Sequence, residues 1–387
     1  MDKALILSTK FKAVCFGLIG IGIIAFAYGF ITEPSRAYAN LLINNYYFIA
    51  LAIGASFFAA LQYITQSGWS SGFVRIPQAI ANMFPVLAVL MIPVIIFGSH
   101  SLYHWTHHDA VAHDALLQHK APYLNMPFFI IRFVFYFAVW IGLTQLLRKF
   151  SLNEDAEGGL KYFEKSEFFS KVYIFGLALT FSLASFDWIM SIDAHWFSTI
   201  FAVRNFAMGF YHAVVLIMMI LIILNKLGYF PFLNKYHLRD YTKYIFVLGI
   251  IWAYTWFSQY ILIWYANIPE ETIYYKPRTQ GEFTVLFYTE FVVNWLFPFL
   301  ALMSAKFMAQ KKNLLLVICI ILMLGQWVDL YNQVIPGTLH HLNIGFIEIG
   351  SFLGFIGLFA FLIARSLSKV PLVAKNHPYL DECIEHH

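Results

Sequence analysis

The chain has 387 residues, of which 60% are hydrophobic and only 12% charged, with a mean hydropathy of +0.68. Soluble domains carry about 25% charged residues, so an ordinary aqueous surface is excluded, and 19% aromatic side chains suit lipid contact and interfacial belts. The formal charge of +4 is mild, and three isolated cysteines (Cys15, Cys319, Cys383) form no C-x-x-C or C-x-x-C-H, which argues against iron–sulfur ligation, covalent haem attachment and a disulfide scaffold.

In chain order, ten runs approach the roughly 20 apolar residues that a membrane span needs: 11–31, 46–65, 79–98, 127–147, 168–192, 197–225, 241–265, 284–304, 314–334 and 344–364. The expected fold class is an all-α integral membrane protein, with 1–387 forming a single polytopic membrane domain. The first run follows Lys3, Lys10 and Lys12, and its Ala25-Phe26-Ala27 loosely fits a signal-peptidase site. Its apolar character continues through Tyr28-Gly29-Phe30-Ile31, too far for a usual signal peptide, so it reads as a retained span.

Between the third and fourth runs, one loop holds His100, His104, His107, His108, His113 and His119. Positions 100, 104 and 108 would share a helix face, a spacing that could ligate metal. No carboxylate or cysteine pattern completes such a site, so surface or interface histidines are the simpler reading. Loop 148–167 is of mixed charge and helix-compatible, and loop 266–283 is polar.

Basic residues orient the chain. Of the 25 lysines and arginines, only Arg36, Lys120, Lys276 and Arg278 fall in the loops of one side, and Arg132 and Arg204 lie inside spans. All the others gather on the opposite side, together with both chain ends, which places the N and C termini in the cytoplasm. Arg132, Asp187, Arg204, His212, Glu290, Asp329 and Glu348 then fall in the external half of six different spans. His195 lies at the boundary, Asp193 at the exit of the fifth span, and the cytoplasmic half reads as nearly devoid of charge.

A charge at mid-bilayer costs roughly 2.5–3.5 kcal/mol on the insertion scale, so these groups facing lipid would cost on the order of 10–15 kcal/mol together. They are expected to face the interior as one polar cluster. Two guanidiniums (Arg132, Arg204) against four carboxylates (Asp187, Glu290, Asp329, Glu348) suggest that one or two carboxyls hold protons. Glu290 with Asn294, and Gln326 with Asp329 and Gln333, share helix faces. Tyr254, Ser258 and Tyr265 read as a further inward strip on the seventh span.

Two readings compete. Buried arginine–carboxylate pairs can simply lock helices together, or the cluster can conduct protons or line a polar ligand site, with Asp187 the foremost relay candidate. His212 reads more readily as a hydrogen-bonded core histidine than as a relay. The aromatic stretch 251–265 could stack a quinone head group, but interfacial anchoring explains it as well. A haem would need two facing intramembrane histidines, and no nucleotide loop or nucleophile–base arrangement occurs.

Three longer motifs carry a resemblance: YLNMPFFIIR (123–132), SFDWIMSIDAHWFSTIF (185–201) and FSQYILIWYANIPEET (257–272). Over about residues 100–350 the chain closely resembles the ActF family of membrane subunits of bacterial alternative complex III, a quinol:electron-acceptor oxidoreductase, related to ActC and to the NrfD/PsrC-like family. The resemblance implies two four-helix bundles, helices 2–5 and 6–9, flanked by helices 1 and 10, in a bacterial inner membrane. It implies no cofactor in this chain, haem c and iron–sulfur clusters on partner subunits, and an ActC-like partner that binds quinol; whether quinone touches this chain is open. A terminal cytochrome oxidase can be a further partner, lipids surround the chain, and nucleic acid plays no part.

The same resemblance implies a respiratory-chain subunit of an oxidoreductase complex, with a role in electron transport through its partners, proton translocation and assembly. Asp187 and His195 fall on the family's S-F-D-W…H-W-F-S-T motif, and Arg132 ends its L-N-x-P-F-F-x-x-R motif. Ala194 stands where Pro is common and Arg204-Asn205 is more basic than usual, so no role carries over to Arg204. A purely structural subunit and a proton-coupled transporter remain the alternatives, the latter weakened because only Pro85, Pro93 and Pro298 could break helices at mid-membrane.

Overall fold

The computed structural model describes residues 4–387 and is all-helical, with no strand among them. Ten helices are long and apolar enough to cross a membrane, which makes the chain a multi-pass membrane protein. In order they are α1 (Thr9–Thr32), α2 (Pro34–Ile64), α3 (Arg75–Leu102), α4 (Met126–Glu157), α5 (Lys161–Trp188), α6 (Ile200–Lys226), α7 (Lys235–Ala266), α8 (Thr284–Leu302), α9 (Lys312–Thr338) and α10 (Phe346–Ser368). A short helix, α11 (Leu380–Ile384), follows. Each corresponds to one of the ten apolar runs.

Local chemistry sets the helix ends. Ser8 caps α1 by accepting the Phe11 N–H, and Asn125 does the same for α4 with the Phe128 N–H, Pro127 following at the start of the helix. Gly158 at φ 72° and Asn267 at φ 48° stop α4 and α7 in the left-handed region. Two helices are irregular: wide, π-type turns occupy Val94–Gly98 of α3 just after Pro93, and Val292–Leu296 of α8 just before Pro298. Such turns are frequent at functional sites.

Helix α2 begins earlier than the apolar run indicated. A single residue, Glu33, separates it from α1, and the stretch 34–45, which reads as a loop from hydropathy, is helical. Its polar residues are buried against other helices: Asn40 donates to Glu348, Asn44 to Ser351, and Asn45 to the Leu87 carbonyl.

Helices α2 and α6 are the centre of the molecule, each 83% buried over its apolar window. They touch at glycine: a Cβ on Gly54 would lie 2.3 Å from the Gly209 carbonyl oxygen, and one on Gly209 would lie 2.8 Å from that of Ala50. Lipid tails are as apolar as leucine, so helices in a bilayer gain most from such close backbone approach. Around this axis α5 and α9 pack on both central helices, α4 packs on α5, α7 on α6, and α8 on α9. Helices α1 and α10 form an outlying pair, joined where Gly22 and Gly354 leave no room for a side chain. The far side of α1 exposes Val14, Phe16, Ile23 and Ile24, as a lipid-facing surface requires. The end holding loops 99–126 and 266–283 is called the histidine end below, and the opposite one the basic end.

Candidate functional site

Toward the histidine end, the charged residues of the spans form three separate buried groups. In the first, Arg132 of α4 grips Asp187 of α5 with two hydrogen bonds, Nε to Oδ2 at 2.7 Å and Nη2 to Oδ1 at 3.0 Å. The Tyr136 hydroxyl adds a third donor at 2.7 Å. The guanidinium stacks on Tyr123, 3.9 Å from the ring centroid, and donates to the Tyr123 carbonyl. Charge is balanced one to one, and both Asp187 oxygens accept; this is a clamp between neighbouring helices.

The second group lies between α6, α7, α8 and α9. Arg204 places Nη2 2.7 Å from Asp329 Oδ1 and 3.3 Å from Glu290 Oε1, so one guanidinium faces two carboxylates. The other donors are neutral. Trp252 reaches Asp329 Oδ2 at 3.1 Å and Trp256 reaches Glu290 Oε1, while Gln333 donates to Asp329 Oδ1 and Asn332 to Glu290 Oε2. Glu290 and Asp329 are fully buried and Arg204 nearly so. With both acids ionised the group is left with one uncompensated negative charge away from water, an arrangement that favours a bound proton.

The surroundings provide a place for that proton. Asn332 Nδ2 donates to Glu290 Oε2 at 3.0 Å, whereas Asn332 Oδ1 is buried without a partner. Turning the amide over would point that free oxygen at Oε2, which then donates a proton instead of accepting one. Glu290 can thus be satisfied either charged or neutral by one amide rotation.

The third group joins α2 to the start of α10. Arg36 donates to Glu348 at 2.7 and 2.6 Å, Asn40 adds 2.9 Å, and the Gly345 N–H adds 2.8 Å. Glu348 also stands in the first turn of α10, where the helix dipole favours a negative charge. Hydropathy places Arg36 in a loop; the longer α2 makes it helical and half-buries it against Glu348.

The eight residues expected to converge are therefore divided. Among the described residues no hydrogen bond or ion pair joins the charged side chains of one group to those of another. His195 belongs to none of them: half-exposed, it meets Asp114 of the histidine-end loop at 2.5 Å, and that contact holds the Asp114 carboxyl below the usual range. His212 is buried near the second group, with Nδ1 on the Met208 carbonyl and Nε2 3.2 Å from Asn294 Oδ1. Asn294 sits in the wide turn of α8, and its amide nitrogen is committed to the Gly325 carbonyl. Both His212 nitrogens thus face acceptors, and a neutral ring has only one N–H to give.

Three further expectations change. Tyr254 and Tyr265 are 69% and 84% exposed, with Ser258 half-buried, so that strip of α7 faces outward; Trp252, Thr255, Trp256 and Gln259 form the inner face. Hydropathy cannot tell these faces apart, since both mix aromatic and polar residues. The histidine loop is not one helix but short turns broken at Tyr103 and His107, so His100, His104 and His108 share no face. His100 stacks on His107 instead, with centroids 3.9 Å apart, and among the described residues no three or more His, Cys, Asp or Glu are arranged to hold a metal.

The third change concerns the basic end, which is not free of buried charge. Arg75 and Glu154 are fully buried there. Arg75 bonds to Asp155 at 2.5 Å, to Ser151 and to Gln78, and both Glu154 oxygens lack a partner, as do Ser166 Oγ, Ser170 Oγ and Tyr63 Oη. From here polar side chains line the buried face of α5: Ser166, Ser170, Tyr173, Thr180, Ser185 and Asp187. At 1.5 Å per residue the strip is about 31 Å long, close to the roughly 30 Å thickness of a hydrocarbon core. The small-residue spacing along 166–187 was a usable signal; Glu154 was hidden because it lies beyond the apolar part of α4.

The segment after α10 closes this end. His377 is buried beside Arg75, and burial followed by that positive charge pushes its imidazole from 6.5 down to about 4. A depressed histidine favours the docked segment above pH 6.5, and docking weakens as pH falls, by up to about tenfold per unit until about 4. The hydrogen-exchange protection factor of 377–384, with the pH dependence of intrinsic exchange divided out, is expected to fall several-fold between pH 6 and 5, while that of a His377→Gln variant stays flat.

Loop 266–283 caps the histidine end through Arg278, also missed because it reads as a surface residue. Pro336 cannot donate to the Asn332 carbonyl four residues before it. Arg278 Nε supplies that bond at 2.9 Å and its Nη2 reaches the Gln333 carbonyl at 2.8 Å, with the guanidinium flat on Tyr274.

The fold and these groups define a multi-pass membrane protein, with ten candidate spans among the described residues and buried, partly unbalanced ion pairs. No protein-family model matches the chain, and no curated protein matches it.

Proposed function

We propose that this chain is a membrane subunit of a bacterial quinol-oxidising respiratory complex of the alternative complex III type, an ActF-like subunit that passes protons while partner subunits carry the electrons. In this reading the basic end and both chain ends face the cytoplasm, supported by the distribution of lysine and arginine. The two four-helix groups and the haem c, iron–sulfur and ActC-like partners belong to the same proposal and rest on the three motifs.

One observation carries the proton role: among the described residues Arg204 is the one cation facing both Glu290 and Asp329, all three buried, with the rotatable Asn332 amide at Glu290 Oε2. Glu290 is the proton-holding residue, Asp329 its fixed counter-charge through Arg204. Asp187, balanced by Arg132, anchors the outer end of the α5 strip. The strip offers a row of hydroxyls between Glu154 and Asp187 and is the route's candidate path from the basic end.

A structural reading has its own support, because the Arg132–Asp187 and Arg36–Glu348 pairs are balanced and fully bonded. Glu290→Gln separates the two. The amide keeps the bonds from Arg204 and Trp256 on its oxygen and finds the free Asn332 oxygen with its nitrogen, so the fold is retained. Proton release per quinol oxidised by the intact complex is expected to fall at least tenfold in rate. Unchanged release in a correctly assembled complex leaves the structural reading standing, and purification as a lone chain without haem or iron–sulfur partners favours a transporter.

A further inference from the structure

Toward the basic end, a cavity of about 710 Å³ separates the outlying α1/α10 pair from the central helices α2, α6 and α9. Its walls are hydrocarbon: Phe48 from α2, Leu216 and Ile220 from α6, Met323 from α9, and Ile356 and Phe359 from α10. The few polar groups at its edge are already engaged. The Tyr47 hydroxyl donates to the Met323 carbonyl, the Tyr229 hydroxyl accepts from the Ile6 N–H, and Ser8 caps α1. An occupant would meet mostly aliphatic and aromatic carbon, and hydrocarbon that fills a gap of this size restores contact energy between the helices.

The mouth shows which hydrocarbon fits. Leu227 and Leu367, at the ends of α6 and α10, line the cavity where it reaches the basic end. Lys226 adjoins Leu227, and Lys312 sits beside it on α9: their ammonium groups bond to Asn313 and Asn225, neutral partners. Lys10 and Lys12 flank Phe11, another wall residue, and are exposed. Among the described residues none of these four lysines has a carboxylate partner. Basic side chains between helix ends attract anionic lipid headgroups.

We propose that the cavity binds an acyl chain of an anionic phospholipid from the adjoining leaflet, with the lipid phosphate held by Lys226 and Lys312. A neutral isoprenoid quinone would fill the walls but leave the lysines unanswered. The lipid acts as packing material, tying α1 and α10 to a core they otherwise touch along few surfaces.

The test is native mass spectrometry of the full chain in mild detergent, exchanged against phosphatidylglycerol or phosphatidylcholine. The expected result is at least a tenfold preference for retaining phosphatidylglycerol. Lys226→Gln/Lys312→Gln, a change at the exposed rim that leaves the core untouched, should reduce that preference to below threefold. Ala360→Trp, which fills the cavity, should abolish retention of either lipid. Equal retention of the two lipids, retention undiminished in Ala360→Trp, or co-purification of an isoprenoid quinone in place of phospholipid each overturns the proposal.

Discussion

Arg204→Met is expected to lower the unfolding free energy by about 3–5 kcal/mol, the cost of removing one partner from a buried ion group and leaving the other charge uncompensated. Here two carboxylates are stranded, Glu290 and Asp329, with only indole and amide donors left to hold them. The methionine retains most of the apolar stem, so lost packing contributes little. The triple variant Arg204→Met/Glu290→Gln/Asp329→Asn should recover most of the loss, because no charge then remains to be neutralised. Thermal unfolding in detergent, followed through the fluorescence of the 10 tryptophans, measures both. A triple variant as unstable as the single one would show that the arginine acts through shape and not through charge.

Gly54→Leu carries the second large expected effect. Its Cβ would sit 2.3 Å from the Gly209 carbonyl oxygen and 2.7 Å from the Ala213 side chain, closer than any real carbon contact. The obstacle is the helix α6 backbone, which cannot swing aside as a side chain can, so α2 and α6 must separate along their whole crossing. The expected cost is about 3 kcal/mol, the upper end of what overpacking usually does. Gly17→Leu is the control: nothing lies within 4 Å of its Cβ position, and a change below about 0.5 kcal/mol is expected. Equal stability of the two variants would mean that the central crossing is looser than described.

The ten spans were legible because apolar length is a local property. That the intramembrane charges would be buried was legible too, from the cost of a charge in hydrocarbon. Their partners were not. Arg36 and Arg278 stand in segments that hydropathy reads as loops, yet α2 starts at Pro34 and loop 266–283 folds inward, which leaves Arg36 half-buried against Glu348 and Arg278 fully buried. Pairing also depends on helix azimuth, which a short polar strip fixes poorly: Tyr254 and Tyr265 looked as inward as Trp252 and Trp256. Glu154 escaped because α4 runs past its apolar stretch, so a residue outside the presumed membrane is buried by neighbouring chain instead.

Loop 266–283 is soldered to α9 at one point with unusual leverage. Arg278 holds the backbone carbonyl of Asn332, and the side chain of that same asparagine is the one that answers Glu290. A single proline's missing N–H thus leaves the loop and the buried acid two hydrogen bonds apart, with one asparagine between them.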